Sequence, residues 1–209
     1  GESAGPPGGG GGSGGGGGDP IKIQKTLHIP QGATIGERIK PNKTKRQPVN
    51  VSTVCSRCKQ NNRIPVGRIV RNHKNKNDNS VIGLKKDALM NPGKDIVLKL
   101  PCGRYYLSGI DVSSKVTVLA TGNTTLFVDG NINSDGNFTI KPTTSGEFDV
   151  FVDGKVTLSN DLKVGSAAYP ANMRFYVNGE WTFMNDGDFG AYIYAIPGGI
   201  SAMNNIVLY

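Results

Sequence analysis

The sequence is poor in the residues from which many catalytic and metal sites are built. Its 209 residues include two His, three Cys and one Trp. No stretch approaches the ~20 consecutive apolar residues that a membrane-spanning helix needs. The Gly-rich run of residues 8–18 has no preceding strand and no following Lys-Ser or Lys-Thr pair, so it is not a phosphate-binding loop. We therefore expect no transmembrane segment and no cofactor.

Both chain ends lack a feature that a complete secreted protein would show. The start has no charged segment followed by an apolar run, which would mark a signal peptide. The last residues, Ile206-Val207-Leu208-Tyr209, have the pattern of a strand rather than of a terminus. We expect a mature or truncated piece whose native chain continues, or whose end another subunit covers.

Acidic residues are scarce in the first half of the chain. Residues 1–104 hold 19 Lys and Arg against 6 Asp and Glu, a net charge of +13, whereas residues 105–209 hold 5 against 10, a net charge of −5. The basic half could bind an anionic polymer, or could meet the acidic half of a neighbouring copy. Few aromatic side chains accompany it, so we expect no specific nucleic-acid binding. The candidates for self-association are Lys40, Lys43, Lys45, Arg46 and Tyr209.

Composition divides the chain into three parts. Residues 1–20 are mostly glycine and have nothing to bury, so we expect a flexible tether. Residues 21–52 begin with period-two alternation and continue with basic residues and prolines, which predicts an early β rung and a basic loop. Residues 53–209 are rich in β-branched runs and glycine turns. Within them, the apolar spacing after Arg63 predicts a short helix near 65–75 that caps or flanks the β structure.

A tetrad recurs in the second half of the chain. Phe127-Val128-Asp129-Gly130 returns as Phe151-Val152-Asp153-Gly154 and then as Tyr176-Val177-Asn178-Gly179, at offsets of 24 and 25 residues. A fixed period of this length is typical of a solenoid, in which each unit buries its apolar face against the next. Because the units are β-rich, the repeat predicts an all-β parallel β-helix. The apolar residues of the tetrads, with Trp181, should form its core or the flanks of that core.

Three segments resemble a known bacterial domain of unknown function: Asn77 to Leu84, Leu100 to Leu107 with its Pro-Cys-Gly-Arg-Tyr-Tyr sequence, and Leu126 to Gly130. A section like Phe189 to Ala195 also occurs in that family, and the similarity covers roughly residues 50–209. The family is found in secreted surface proteins and in proteins associated with type IV pilus assembly. The resemblance implies a right-handed parallel β-helix outside the cytoplasm and no established catalytic activity.

The three cysteines are Cys55, Cys58 and Cys102. The first two form a Cys-x-x-Cys pair, but no thioredoxin-like βαβ pattern surrounds it. A zinc site is possible with Cys102 as third ligand and His73 or His28 as fourth. The secreted context that the resemblance implies favours a disulfide from Cys102 to Cys55 or Cys58, because disulfides persist in oxidising compartments.

Repeated or paired carboxylates offer two further kinds of site. Asp129 and Asp153 occupy equivalent positions in successive repeats, where they would face each other and attract calcium, or would point into solvent as ordinary turn residues. Glycosidase-like chemistry needs paired carboxylates, and the pairs Glu147 with Asp149 and Asp186 with Asp188 are candidates. Both pairs lie in turn-rich stretches with no cation nearby in sequence, so we expect turn acids and no catalytic residue.

These observations predict a non-enzymatic extracellular or cell-surface β-solenoid. We expect a structural, scaffold or adhesive role in a surface assembly or filament, through self-association or contact with other subunits. The alternative is a carbohydrate-binding or carbohydrate-cleaving β-helix. Clustered outward aromatic or carboxylate side chains would favour that alternative, and evenly spread Thr, Asn and Lys would favour the scaffold.

Overall fold

A computed structural model describes residues 63–143, 146–196, 198–203 and 206–209. These residues form one α-helix, α1 (Val66–His73), two short 3-10 turns (Asn79–Ile82 and Pro170–Asn172) and sixteen strands. The strands are β1 (Ile96–Leu100), β2 (Gly103–Leu107), β3 (Ile110–Val112), β4 (Val116–Ala120), β5 (Thr124–Val128), β6 (Ile132–Ser134), β7 (Phe138–Pro142), β8 (Phe148–Val152), β9 (Val156–Leu158), β10 (Leu162–Gly165), β11 (Met173–Val177), β12 (Glu180–Phe183), β13 (Gly187–Gly190), β14 (Tyr192–Ala195), β15 (Gly199–Ala202) and β16 (Ile206–Leu208).

The described strands form three parallel sheets. Sheet I has the order β1-β4-β7-β10-β13-β16, sheet II consists of β2, β5, β8, β11 and β14, and sheet III consists of β3, β6, β9, β12 and β15. The chain visits the three sheets in the same order on each turn, so every three strands form one rung. Rungs 1 to 5 begin at β1, β4, β7, β10 and β13. The predicted all-β parallel β-helix with a single short helix is confirmed.

Alternate side chains of each strand point into one apolar core. In β4, Val116, Val118 and Ala120 are buried while the residues between them face outward. The same alternation in the other rungs gives a continuous cluster that extends from Leu89 to Ile206. Burial of this apolar core between stacked rungs is the main contribution to the stability of the fold, because a single rung would leave its apolar side chains exposed at both edges.

The register explains why the repeat is visible only in the middle of the sequence. Phe127 pairs with Phe151, and Phe151 with Tyr176, which are the offsets of 24 and 25 residues. The pairs on either side, Tyr106 with Phe127 and Tyr176 with Tyr194, are 21 and 18 residues apart. The connection from sheet I to sheet II varies in length between rungs, so the outer rungs lose the period while keeping the register.

The glycine of each tetrad is required by close stacking of corners. A Cβ atom on Gly154 would lie 2.5 Å from the carbonyl oxygen of Gly130, and one on Gly179 would lie 2.6 Å from that of Gly154. Neither distance leaves room for a methyl group. The Asp-Gly and Asn-Gly corners of successive rungs therefore stack on one another, and the close approach of their backbones leaves no room for a side chain.

The segment before β1 covers the first edges of sheets II and III. The Asn79 side chain donates to the carbonyl oxygen of Tyr106 at 2.7 Å and accepts from its N–H at 2.9 Å, as a neighbouring strand would. Further along, Met90 forms an isolated parallel bridge with Asp111. Leu89, fully buried, closes the core at this end. These contacts satisfy edge groups that would otherwise be open to pairing with another chain.

Helix α1 flanks the solenoid. It packs on the outer face of sheet II, where Val66 and Val70 are buried against Tyr106 and Phe127 in a cluster separate from the core. Phe127 and Phe151 therefore belong to the flank, whereas Val128, Val152, Val177 and Trp181 lie inside. Gly67 allows the close fit, because a Cβ there would lie 2.5 Å from a carboxylate oxygen of Asp153.

The predicted tether (1–20) and the early rung and basic loop (21–52) lie outside the described residues. The predicted solenoid domain (53–209) contains every described strand. Within the part of the chain that the structure describes, no helix has the length and apolar character needed to cross a membrane.

Candidate functional site

The outer face of sheet II carries a column of aromatic rings, one from each rung. Its members are in register across the parallel strands: Tyr106, Phe127, Phe151, Tyr176 and Tyr194. Ring centroids are 5.6 Å apart for Phe127 and Phe151, and 4.5 Å apart for Phe151 and Tyr176, with the planes nearly parallel. We call these five residues the aromatic column.

Residues 64–73, which we call the strap, lie along this column. At one end the Ile64 N–H donates to the Tyr194 hydroxyl at 3.2 Å, in rung 5. At the other end the His73 ring stacks on Phe127, in rung 2, with centroids 4.0 Å apart. The helix axis therefore follows the solenoid axis, and the strap contacts consecutive rungs and covers the rings between them.

A polar corner borders the strap where sheet II turns into sheet III. Asp153 accepts from Arg71 Nη1 at 2.9 Å and from Asn178 Nδ2 at 2.7 Å. Asp129 accepts from the Tyr106 hydroxyl at 2.5 Å. Burial of Tyr106, and then its hydrogen bond to Asp129, raises the pKa of the phenol above its ordinary value.

The calcium candidates Asp129 and Asp153 are both in this corner and both bind protein donors. Among the described residues no group of three or more His, Cys, Asp and Glu side chains is placed to hold a metal ion. Two carboxylates at equivalent positions of neighbouring rungs would repel each other, and Arg71 of the strap neutralises this charge at Asp153. Calcium binding by these two carboxylates stays a prediction.

The carboxylate pair Glu147 and Asp149 is bridged by Arg174. Its Nε donates to Asp149 at 2.6 Å and its Nη2 to Glu147 at 2.5 Å. The hydrogen bond to Asp149, followed by that to Glu147, raises the pKa of the guanidinium, while burial lowers it. Arg174 on β11 in rung 4 is in register with Asp149 on β8 in rung 3. The two residues are 25 positions apart, so the repeat offset seen in the sequence pairs them. The prediction from sequence missed this partner because it considered only cations close along the chain.

The other predicted carboxylates lie elsewhere. Asp186 lies at the corner between sheets III and I, and Asp188 lies exposed on β13 in register with Lys163. Glu147 and Asp149 line a shallow depression on sheet II with Arg104 and Cys102. The two predicted pairs are thus on different sides of the solenoid, and the structure does not bring them together.

Cys102 is exposed in the connection from sheet I to sheet II of rung 1. Cys55 and Cys58 lie outside the described residues, as does His28, so the disulfide and the zinc site stay predictions. His73 stacks on Phe127, and its Nδ1 lies 2.9 Å from the carbonyl oxygen of Ile69. Mass spectrometry of the non-reduced protein, before and after chelation, distinguishes the bridge from the zinc site.

The candidates for self-association are only partly within the described residues. Tyr209 is 49% exposed, and its N–H donates to the carbonyl oxygen of Phe189 at 3.0 Å, which continues the parallel pairing of sheet I. Lys40, Lys43, Lys45 and Arg46 lie outside the described residues.

Comparison with known proteins gives a family for the chain. Searches of curated proteins and of solved structures found no match. A family model described as a domain of unknown function (DUF7305) matches residues 53–207, which include strands β1 to β15 and all but the last residue of β16. The expected kinship with a domain of unknown function is confirmed to this extent, and the chain belongs to the DUF7305 family.

Proposed function

We propose that this protein is a non-enzymatic structural β-solenoid that works at the cell surface or in an extracellular filament, as a scaffold or adhesive unit that associates with its own copies. The observation that carries the proposal is the uninterrupted stacking of rungs around one apolar core. Backbone ladders in three directions make such a body stiff, and its faces repeat at the rung spacing of about 4.8 Å.

The outer face of sheet III supports a scaffold role. Its outward positions are in register and small or polar: Asp111, Asn133, Thr157, Thr182 and Ser201. This even distribution is the one expected for a contact surface rather than for a substrate cleft. The similarity of the sequence to domains of secreted surface and pilus-associated proteins supports the location.

The carbohydrate-related alternative is favoured by one observation, the aromatic column on sheet II, because stacked rings are a common platform for sugars. The strap covers that column with Val66, Val70 and His73. The carboxylates on the same side are already paired: Asp129 accepts from Tyr106, Asp153 from Arg71, and Arg174 bridges Glu147 and Asp149. A sugar site here would need the strap to move and the ion pairs to open, so we favour the scaffold.

Sedimentation velocity and electron microscopy of the purified full chain at 0.1 M and 1 M salt test the proposal. We expect assemblies that weaken but persist as the Debye length falls from ~10 Å to ~3 Å, because apolar and backbone contacts survive screening. A monomer at every salt and protein concentration would overturn it. Release of reducing ends from a polysaccharide panel would instead establish the enzymatic alternative.

A further inference from the structure

The outer face of helix α1, which lies on sheet II, is basic. From Arg63 to Asn77 the chain contains no Asp or Glu, and Arg68, Arg71 and Lys74 are exposed on or just after α1. Arg71 retains 64% exposure of its side chain while bound to Asp153. We call Arg68, Arg71 and Lys74 the basic ridge.

A different side is acidic. The three-residue turns from sheet III to sheet I stack on one another, and they carry Asp135 in rung 2, Asp161 in rung 3 and Asp186 in rung 4, all exposed. Lys115 occupies this corner in rung 1. Sheet II, on which α1 lies, contributes no strand to this corner. We call Asp135, Asp161 and Asp186 the acidic corner.

The two sets of charges lie at the same levels along the solenoid. Lys74 follows His73, which stacks on Phe127 in rung 2. Arg71 binds Asp153, which directly follows β8, the sheet II strand of rung 3. Arg68 lines a depression that also includes Asn178, in rung 4.

The spacings of the two sets also agree. Two rung intervals separate Asp135 from Asp186, which is about 10 Å along the solenoid axis. Lys74 lies six positions after Arg68, which corresponds to a rise of about 9 Å at 1.5 Å per residue. A neighbour placed beside the solenoid with the same orientation can therefore match one charge per rung.

We infer that copies of this protein associate side by side and point the same way, with the basic ridge of one against the acidic corner of the next. The inference rests on the self-association proposed above and names its surfaces. Two different surfaces meet, so the contact is heterologous and does not close on itself. Each copy has both surfaces, and the contact therefore propagates into rows.

Charge reversal on each surface of the full chain tests the inference. The ridge variant carries Arg68→Glu and Lys74→Glu, and the corner variant carries Asp135→Lys and Asp161→Lys. Arg71 is left unchanged because it binds Asp153. The control, Lys99→Glu with Lys141→Glu, makes the same charge change as the ridge variant at exposed positions on the outer face of sheet I.

Each variant alone should associate at least about tenfold more weakly than the wild type in 0.1 M salt, since like charges then meet across the contact. Mixing the ridge and corner variants should restore association, because each then offers the charge that the other needs. The control should associate as the wild type does. Circular dichroism and thermal unfolding establish that every variant is folded.

The outcomes separate this inference from the function on which it rests. A wild-type chain that stays monomeric overturns the proposed self-association. A wild type that associates, with variants that associate equally well or fail to be restored by mixing, overturns only the choice of surfaces. If the ridge variant still self-associates but loses binding to heparin that the wild type shows, the ridge binds an anionic polymer and the inference is wrong.

Discussion

At the residue scale, the glycines of the tetrads are fixed by their neighbours one rung away. Gly130, Gly154 and Gly179 stack so closely that the carbonyl oxygen of one occupies the space of a side chain on the next. Asp and Asn come before them because these side chains hydrogen-bond along the same corner, as Asn178 does to Asp153. The tetrad is thus a stacking unit, and its period follows the rung.

Replacement of Gly154 by Ala should lower the free energy of unfolding by about 1–3 kcal/mol, which is the usual cost of overpacking. The new methyl group would meet backbone, at 2.5 Å from the carbonyl oxygen of Gly130, and backbone cannot rotate away. Urea unfolding measures the change. Lys155→Ala, an exposed neighbour in the same turn, is the control, and equal stabilities of the two variants would contradict the stacking explanation.

The Tyr106 phenol predicts a dependence of stability on alkaline pH. Its pKa is raised from the ordinary value of 10 in the folded protein, so the folded state holds the proton more tightly than the unfolded chain does. The resulting stabilisation is fully present below pH 10 and is lost as the pH rises above it.

We therefore expect the free energy of unfolding to fall more steeply above pH 10 in the wild type than in the Tyr106→Phe variant. Tyr192→Phe, at an exposed position, should retain the wild-type slope. Denaturant unfolding between pH 8 and pH 11 gives the comparison. Parallel slopes for wild type and Tyr106→Phe would show that burial and the bond to Asp129 do not raise the pKa of this phenol.

At the element scale, the segment before β1 replaces a missing rung with side-chain groups. The Asn79 amide satisfies both backbone groups of Tyr106, and the Asp78 carboxylate accepts from the Arg104 N–H at 2.8 Å. In the sequence, only the resemblance to the bacterial domain of unknown function distinguishes Asn77-Asp78-Asn79 from other polar turns. The capping role of this segment could not be predicted, because the edge that it covers forms only when distant strands have assembled.

Asn79→Ala should cost about 1–3 kcal/mol, since it leaves a buried N–H and a buried carbonyl of Tyr106 without partners. Hydrogen exchange should also accelerate at Tyr106 itself. Asn137→Ala, an exposed residue in the turn before β7, is the matched control and should change stability little. Unchanged exchange at Tyr106 would show that other groups cover the edge.

Short β-branched and aromatic runs between glycine turns predicted most of the β structure, but they did not predict which side of a strand faces the core. In the tetrads both Phe and Val are apolar, so alternation is consistent with either one in the core. The structure places Val128 and Val152 inside and Phe127 and Phe151 under α1. The helix itself followed from its spacing of apolar residues, whereas its docking site required the position of a face built from residues far along the chain.

At the scale of the whole molecule, a solenoid is nearly one-dimensional, because each rung contacts only its neighbours and the ends can unfold separately. The strap adds a contact of a different kind, since it reaches from Phe127 in rung 2 to Tyr194 in rung 5. It should therefore couple rungs that do not touch. This coupling could not be predicted from the sequence, because it depends on the direction of α1 along the solenoid axis.

Undocking of the strap should make the unfolding of the solenoid less cooperative. Val70 is fully buried on the side of α1 that faces sheet II, so Val70→Asp places a charge in an apolar contact and should release the helix. Trp181 is the single tryptophan, buried in rung 4, and its fluorescence reports that region alone. In the wild type the fluorescence and circular dichroism transitions should coincide, as a two-state transition requires. In Val70→Asp they should separate, whereas Asn72→Asp, at an exposed position of the same helix, should keep them together. Coincident transitions in all three proteins would show that the core alone couples the rungs and that the strap only covers the aromatic column.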